Sequence, residues 1–188
     1  MFSGIVREMG EVVGAEPRAG GIRLAVRTST LTEAGPGSSV AVNGVCLTVV
    51  RSEHGTLYFD AVGATLERTL LGEIQVGDPV NLEPSLRVGD TVDGHWVTGH
   101  VDGAGTIVSK RSGDGAVWFT LAAPPELLSQ IALRGSVAVD GVSLTVAGVD
   151  ETAFRVSIVP FTMEATLFGH YTVGRRVHLE TDVLAKYV

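Results

Sequence analysis

Cys46 and His100 are the side chains best placed in this sequence for nucleophilic or proton-transfer chemistry, and each lies in a short glycine-containing segment. Cys46 is the only cysteine and stands within Asn43-Gly44-Val45-Cys46-Leu47-Thr48-Val49. His100 ends the run Thr98-Gly99-His100. A thiol offers polar contact, proton transfer or attack as thiolate. An imidazole changes charge near neutral pH and suits a proton shuttle. Ser39, Thr48, Ser143 and Thr145 add hydroxyls that can orient a ligand or activate water. The same residues have plainer readings: a lone cysteine serves as a small buried apolar group, and strand hydroxyls satisfy turns. His95 and His100 would face opposite sides of a regular strand, with no further Cys or His close by, so no metal site is expected. His54, His170 and His178 read as solvated loop or edge residues.

The elements that must position these groups come in two copies. Ser38–Val49 recurs as Gly135–Val146, differing only at Ser38/Gly135, Asn43/Asp140 and Cys46/Ser143. At the same offset Thr65, Glu67, Thr69, Gly72, Gly77 and Glu83 meet Thr162, Glu164, Thr166, Gly169, Gly174 and Glu180. At a slightly shorter offset Ser3-Gly4-Ile5-Val6 meets Thr98-Gly99-His100-Val101. Matches in one order at nearly constant offset identify a tandem duplication, with residues 1–95 and 96–188 as the two units. Hairpin packing gives no reason to exchange a thiol for a hydroxyl, or Ile5 for His100, between copies. A site that treats two like ligands differently does.

Within each unit the apolar residues form short runs broken by Gly, Asp and Pro. Strands are predicted over Ile22–Val26, Val40–Val42, Cys46–Val50, Thr56–Phe59, Val80–Leu82, Ala104–Val108, Val117–Leu121, Val137–Val139, Leu144–Val146, Phe154–Ile158 and Val177–Leu179. Asn43-Gly44 and Asp140-Gly141 are hairpin signals, and Gly77-Asp78 and Gly89-Asp90 read as turns. Helical stretches are expected at Leu31–Ala34 and Pro125–Ile131, with weaker ones at Thr65–Leu70 and Thr162–Leu167. Many short strands with regular turns predict an all-β chain of barrels or sandwiches.

The bulk composition, 45% hydrophobic and 19% charged, provides for a packed core. A formal charge of -7 disfavours binding to nucleic acid or to anionic membranes. No stretch is long and apolar enough for a membrane span, no signal peptide is evident at the N-terminus, and one cysteine fits a reducing, cytoplasmic location.

Taken together, Met1-Phe2-Ser3-Gly4-Ile5-Val6, Val42–Val49, Gly94-His95-Trp96-Val97-Thr98-Gly99-His100-Val101-Asp102-Gly103, Val139–Val146 and Asp182–Val188 resemble the riboflavin synthases, the two-barrel enzymes of the lumazine-binding family. The resemblance runs from Met1 to Val188. It implies two tandem six-stranded Greek-key β-barrels with short helices, here with a short or absent C-terminal helix. It implies dismutation of two 6,7-dimethyl-8-ribityllumazine molecules by four-carbon transfer, giving riboflavin and 5-amino-6-(D-ribitylamino)uracil. Neither redox cofactor nor metal is implied. The 7-methyl carbanion delocalises into the pteridine, so catalysis needs positioning, a proton shuttle and help for a nucleophile adding at C7. Two rings must lie face to face, one per barrel.

By the resemblance, Gly4, Ile5 and Val6 with Cys46, Leu47 and Thr48 line the N-terminal pocket, aided by Asp60, Ala61, Val62, Gly63, Ala64 and Thr65. Gly99, His100 and Val101 with Ser143, Leu144 and Thr145 line the C-terminal one, aided by Arg134, Val159, Pro160, Phe161, Thr162, Met163 and Glu164. Cys46, His100, Ser39, Thr48, Ser143 and Thr145 are the implied catalytic groups. The family assembles as a homotrimer whose sites form between neighbouring subunits. This chain departs from the family at Val62-Gly63-Ala64-Thr65-Leu66, where a ligand-facing glutamate is common; at Arg134, where lysine is frequent; and at Phe161, where a polar residue is usual. Two alternatives stand beside the synthase: a non-catalytic lumazine- or flavin-binding relative, and an enzyme acting on another pteridine.

Overall fold

The protein, described here for residues 1–188 by a computed structural model, consists of twelve strands in two closed antiparallel barrels. The first barrel contains β1 (Glu8–Arg18), β2 (Gly21–Arg27), β3 (Ser39–Val42), β4 (Val45–Glu53), β5 (Thr56–Val62) and β6 (Pro79–Pro84), joined in the order β1-β2-β5-β4-β3-β6. The second contains β7 (Gly103–Gly113), β8 (Ala116–Ala122), β9 (Ser136–Val139), β10 (Val142–Val149), β11 (Ala153–Ile158) and β12 (Arg176–Thr181), in the order β7-β8-β11-β10-β9-β12. The two orders are the same Greek key. Closure leaves neither sheet an unpaired edge strand.

Local sequence explains the hairpins. Asn43 and Gly44 both adopt positive φ, as do Asp140 and Gly141. That is the type I′ turn whose twist matches the flanking strands. Strict alternation in β4 sends Val45, Leu47 and Val49 inward and Cys46 and Thr48 outward. In β10, Val142, Leu144 and Val146 point inward and Ser143 and Thr145 outward. The barrel interiors are filled: one around Leu24, Val40, Leu57 and Phe59, the other around Ile107, Phe119, Val137 and Phe154. Each fully buried phenylalanine contributes roughly 1.5–3 kcal/mol. The polar candidates Cys46, Thr48, Ser143 and Thr145 all lie on the outer faces.

Some expectations fail for identifiable reasons. β1 was not predicted, because Gly10, Gly14 and Pro17 interrupt its apolar pattern and a bulge breaks its register between Val12 and Gly14. Leu31–Ala34 is a turn closed by Ala34 N–H on the Leu31 carbonyl, not a helix. The helix predicted to Ile131 is only α2, Pro125–Leu128. It lies between β8 and β9, where the repeat offset changes. The weaker helices are present as α1 (Gly63–Arg68) and α3 (Pro160–Ala165). After β12 comes a single 3-10 turn, Val183–Lys186.

The two barrels meet through reciprocal contacts. The Asn43-Gly44 and Asp140-Gly141 turns abut so closely that a Cβ on Gly44 would lie 2.6 Å from the Gly141 nitrogen. Asn81 of β6 donates to the Asp140 carbonyl (2.9 Å) and accepts from Leu167 N–H (2.9 Å). Its counterpart, His178 of β12, bonds the Asn43 carbonyl through Nδ1 (2.7 Å) and accepts from Leu70 N–H at Nε2 (2.7 Å). These bonds require the tautomer with hydrogen on Nδ1. His178 is therefore a buried interface residue, and the reading of it as solvated is corrected. Asp140 also accepts from Tyr171 OH and His178 N–H. Burial raises the Asp140 carboxyl above its ordinary value despite these bonds, and the Tyr171 hydroxyl is pushed well above 10.0 by the same burial.

Gly44→Ala should destabilise the protein by about 1–3 kcal/mol or more, from positive φ and the clash across the interface. Gly20→Ala, also at positive φ but in open space, should cost less. Chemical denaturation of both variants checks this; equal losses would show that the turn–turn contact adds nothing.

Candidate functional site

Two equivalent outer faces collect the polar groups. On the first barrel, Ser39 of β3 is the register partner of Thr48, and Ala41 of Cys46. On the second, Ser136 pairs with Thr145 and Ala138 with Ser143. The β4–β5 ladder starts at the Val49–Phe59 pair, so the Cys46 N–H points to an edge left open by β5. The Gly99 carbonyl accepts it at 2.9 Å. In the twin position the Gly4 carbonyl accepts the Ser143 N–H at 2.8 Å.

This pairing crosses the barrels. The resemblance groups Gly4–Val6 with Cys46–Thr48, and Gly99–Val101 with Ser143–Thr145. The structure exchanges the two segments. Gly4 docks on Ser143, and Val6 packs against the core of the second barrel; Gly99 docks on Cys46, and Val101 belongs to the core of the first. Gly4 and Gly99 have φ of 76° and 80°, and a Cβ on either would strike Ser143 or Cys46. Only glycine admits both the conformation and the approach.

Two carboxylates hold the crossing segments. Glu83 accepts from Ser3 N–H (2.8 Å), Ser3 Oγ (3.0 Å) and Gly4 N–H (3.1 Å). Glu180 accepts from Thr98 N–H (2.6 Å), Thr98 Oγ1 (2.7 Å) and Gly99 N–H (2.9 Å). Both glutamates are buried. Burial raises the Glu83 carboxyl above its ordinary value, against the lowering effect of its hydrogen bonds. Between the barrels Phe2 and Val97 form a two-residue bridge and pack with Ala41, Ala138 and the half-buried Cys46.

Individual candidates divide by exposure. Thr48, Thr145, His100, Arg134 and Glu164 are exposed, while Ser39, Ile5, Ser143, Gly63, Thr65, Thr162 and Met163 are half-buried. Leu47, Leu144 and Ala61 point into the barrel cores, so only their backbone can face a ligand. Asp60 is engaged by a bidentate pair with Arg23 (2.7 Å to each oxygen), which holds its carboxyl below the ordinary value. Val62, Val159 and Phe161 stand exposed at the rims, with Ala64 and Pro160. Arg134 occupies a left-handed conformation (φ 65°) at the position where the first barrel has Gly37. Strain of this kind, about 1–3 kcal/mol, concentrates at ligand sites.

His100 lines a cleft of about 550 Å³ with Arg68, Thr98, Val101, Asp102, Lys186 and Tyr187; Lys186 is paired with Asp102 at 2.7 Å. Ser39 lines a separate cleft of about 770 Å³ with Arg7, Ser38 and Arg87. Met163 and Glu164 border a third, about 380 Å³, against the β7–β8 hairpin.

One group escaped the sequence reading. His95 lies in irregular chain, not on a strand opposite His100. It is buried, and its Nδ1 is 2.6 Å from Ser143 Oγ. Its Nε2 has no partner. The duplication supplies no equivalent residue beside Cys46, so the repeat gave no signal for it. No group of His, Cys, Asp and Glu is arranged to hold a metal ion.

The chain belongs to the lumazine binding domain family, which matches it twice, over residues 3–85 and 98–182. Among curated relatives, the riboflavin synthase of Mycobacterium tuberculosis (strain ATCC 25618 / H37Rv) is 44% identical over 100% of this chain and 96% of its own length. That of Bacillus subtilis (strain 168) is 35% identical over 100% of this chain and 88% of its own. In structure the chain is similar to LumP complexed with riboflavin, with a TM-score of 0.89 and 25% identity, covering 96% of this chain and 99% of that one. LumP complexed with 6,7-dimethyl-8-(1'-D-ribityl)lumazine superposes with a TM-score of 0.87 at 23% identity, covering the same shares; this supports the two-barrel fold.

Burial lowers the His95 imidazole below its ordinary value of 6.5. The unfolded chain therefore binds this proton first as pH falls. The stability contributed is complete above pH 6.5 and is lost as pH drops through the folded value. His95→Gln should flatten the decline of Tm as pH falls below 6.5, read by thermal melts across that fall. A wild-type slope in the variant would refute this role for His95.

Proposed function

We propose that this chain catalyses the dismutation of two 6,7-dimethyl-8-ribityllumazine molecules to riboflavin and 5-amino-6-(D-ribitylamino)uracil, a transferase reaction. One observation carries the proposal: the same outer face is built twice, each capped by a glycine segment, and the copies differ at the atoms that would meet a ring. One offers the Cys46 thiol and the His100 segment, the other the Ser143 hydroxyl beside His95. Like rings on unlike faces can play donor and acceptor. Riboflavin synthases 35–44% identical along the whole chain support the reading.

Each half, 1–95 and 96–188, would contribute one lumazine-binding barrel. On the first face we assign Gly99, His100 and Val101 with Cys46, Leu47, Thr48 and the segment Asp60–Thr65. On the second we assign Gly4, Ile5 and Val6 with Ser143, Leu144, Thr145, Arg134 and Val159–Glu164. Hydroxyls of Ser39, Thr48 and Thr145 and the Glu164 carboxylate would hold ribityl oxygens. His100 would take the 7-methyl proton of the donor, whose carbanion then attacks the acceptor ring; neutral His95 and Ser143 would help the nucleophile adding at C7. Stacked rings need two faces opposed, which a homotrimer pairing the first barrel of one subunit with the second barrel of the next supplies. Exposed Val62, Val159 and Phe161 at the rims suit burial there. A cytoplasmic location accords with the single free cysteine.

Mixing the purified protein with 6,7-dimethyl-8-ribityllumazine and following riboflavin fluorescence tests the proposal. Steady product is expected; tight binding without turnover would make the chain a carrier, and neither would point to another pteridine. Cys46→Ser should lower turnover on the order of 10²-fold with little change in ligand Kd. Unchanged turnover would remove Cys46 from the chemistry.

A further inference from the structure

We infer that Glu83 and Glu180 are positioning residues wired across the barrels, each setting the ligand face of the barrel it does not belong to. Glu180 is on β12 of the second barrel, yet its hydrogen bonds fix Thr98 and Gly99, and the Gly99 carbonyl holds the Cys46 N–H of the first. Glu83 is on β6 of the first barrel, yet it fixes Ser3 and Gly4, and the Gly4 carbonyl holds the Ser143 N–H of the second. In each chain of contacts every link is buried or half-buried, and every carboxylate oxygen accepts from at least one N–H. The residue after each gripped glycine is Ile5 or His100, so the carboxylate also sets where that side chain stands.

A carboxylate suits this task because both oxygens accept. The two N–H groups it grips are consecutive, so one planar group fixes the direction of the peptide between them. Glutamine keeps the shape but turns one acceptor into a donor facing an N–H. The variant pair Glu180→Gln and Glu83→Gln therefore releases one crossing segment at a time. Wiring of this kind makes the effects opposite to what barrel membership suggests. Losing Glu180 disturbs the Cys46 face; losing Glu83 disturbs the Ser143 face.

The single cysteine supplies a readout that needs no turnover. Cys46 alkylation by N-ethylmaleimide is measured on each folded variant, well below its melting temperature. Glu180→Gln should raise the labelling rate about tenfold, the effect of removing a charge-assisted hydrogen bond on a local opening equilibrium. Glu83→Gln should raise labelling less, about twofold at most, because it reaches Cys46 only through Phe2, beside the Ser3 it holds. The milder pair Thr98→Val and Ser3→Ala should repeat the contrast at smaller amplitude, and carries the test if a glutamine variant does not fold. Equal labelling of the two partners in each pair, or faster labelling from the Glu83 side, overturns the inference. The kinetic arm rests on the lumazine reading: both glutamine variants should lose kcat more than KM in riboflavin formation. Absence of turnover in the wild type would defeat that reading alone, while the labelling contrast would still decide the wiring.

Discussion

The contact that organises this molecule is the reciprocal grip of the two barrels at the Asn43-Gly44 and Asp140-Gly141 turns. Two type I′ turns pack backbone to backbone, at a separation that no side chain could share. Around them each barrel satisfies the other's polar groups: Asn81 serves Asp140 and Leu167, and His178 serves Asn43 and Leu70. Buried polar groups left without partners are costly. Each half closes its own sheet, yet these buried groups find their partners only across the barrel contact.

That grip explains why the outer faces can be composite. Once the turns are locked, Ser3–Val6 and Thr98–Val101 pass near the opposite barrel, and the open edges beside Ser143 and Cys46 receive them. Each outer face is therefore built of residues from both halves of the chain. The departures from symmetry fall at the polar candidate residues of the outer faces. Cys46 stands where the second copy has Ser143, Ile5 stands where it has His100, His95 has no twin, and Arg134 takes the strained position of Gly37. Packing residues such as Val40/Val137 and Leu47/Leu144 remain identical.

Much of this was legible in the sequence because it is local. The hairpin turns follow from Asn-Gly and Asp-Gly, and alternation in β4 and β10 puts Cys46, Thr48, Ser143 and Thr145 outside. The duplication by itself implies two like barrels. The crossing was not legible, since Ser3–Val6 and Thr98–Val101 adjoin their own barrels in sequence and nothing local says that they reach across. His178 was misread although a signal existed. Asn81 and His178 sit at twin positions inside Val80–Leu82 and Val177–Leu179, and a polar residue recurring in an apolar strand marks an interface. β1 was missed because its glycines and bulge erase the period that strand recognition needs.

If each chain carries two non-identical lumazine faces, as proposed, equilibrium binding reads them directly. Titration with a non-reacting analogue of 6,7-dimethyl-8-ribityllumazine, followed by calorimetry, should give two sites per chain with distinct affinities. A stoichiometry of one, or two indistinguishable sites, would contradict it.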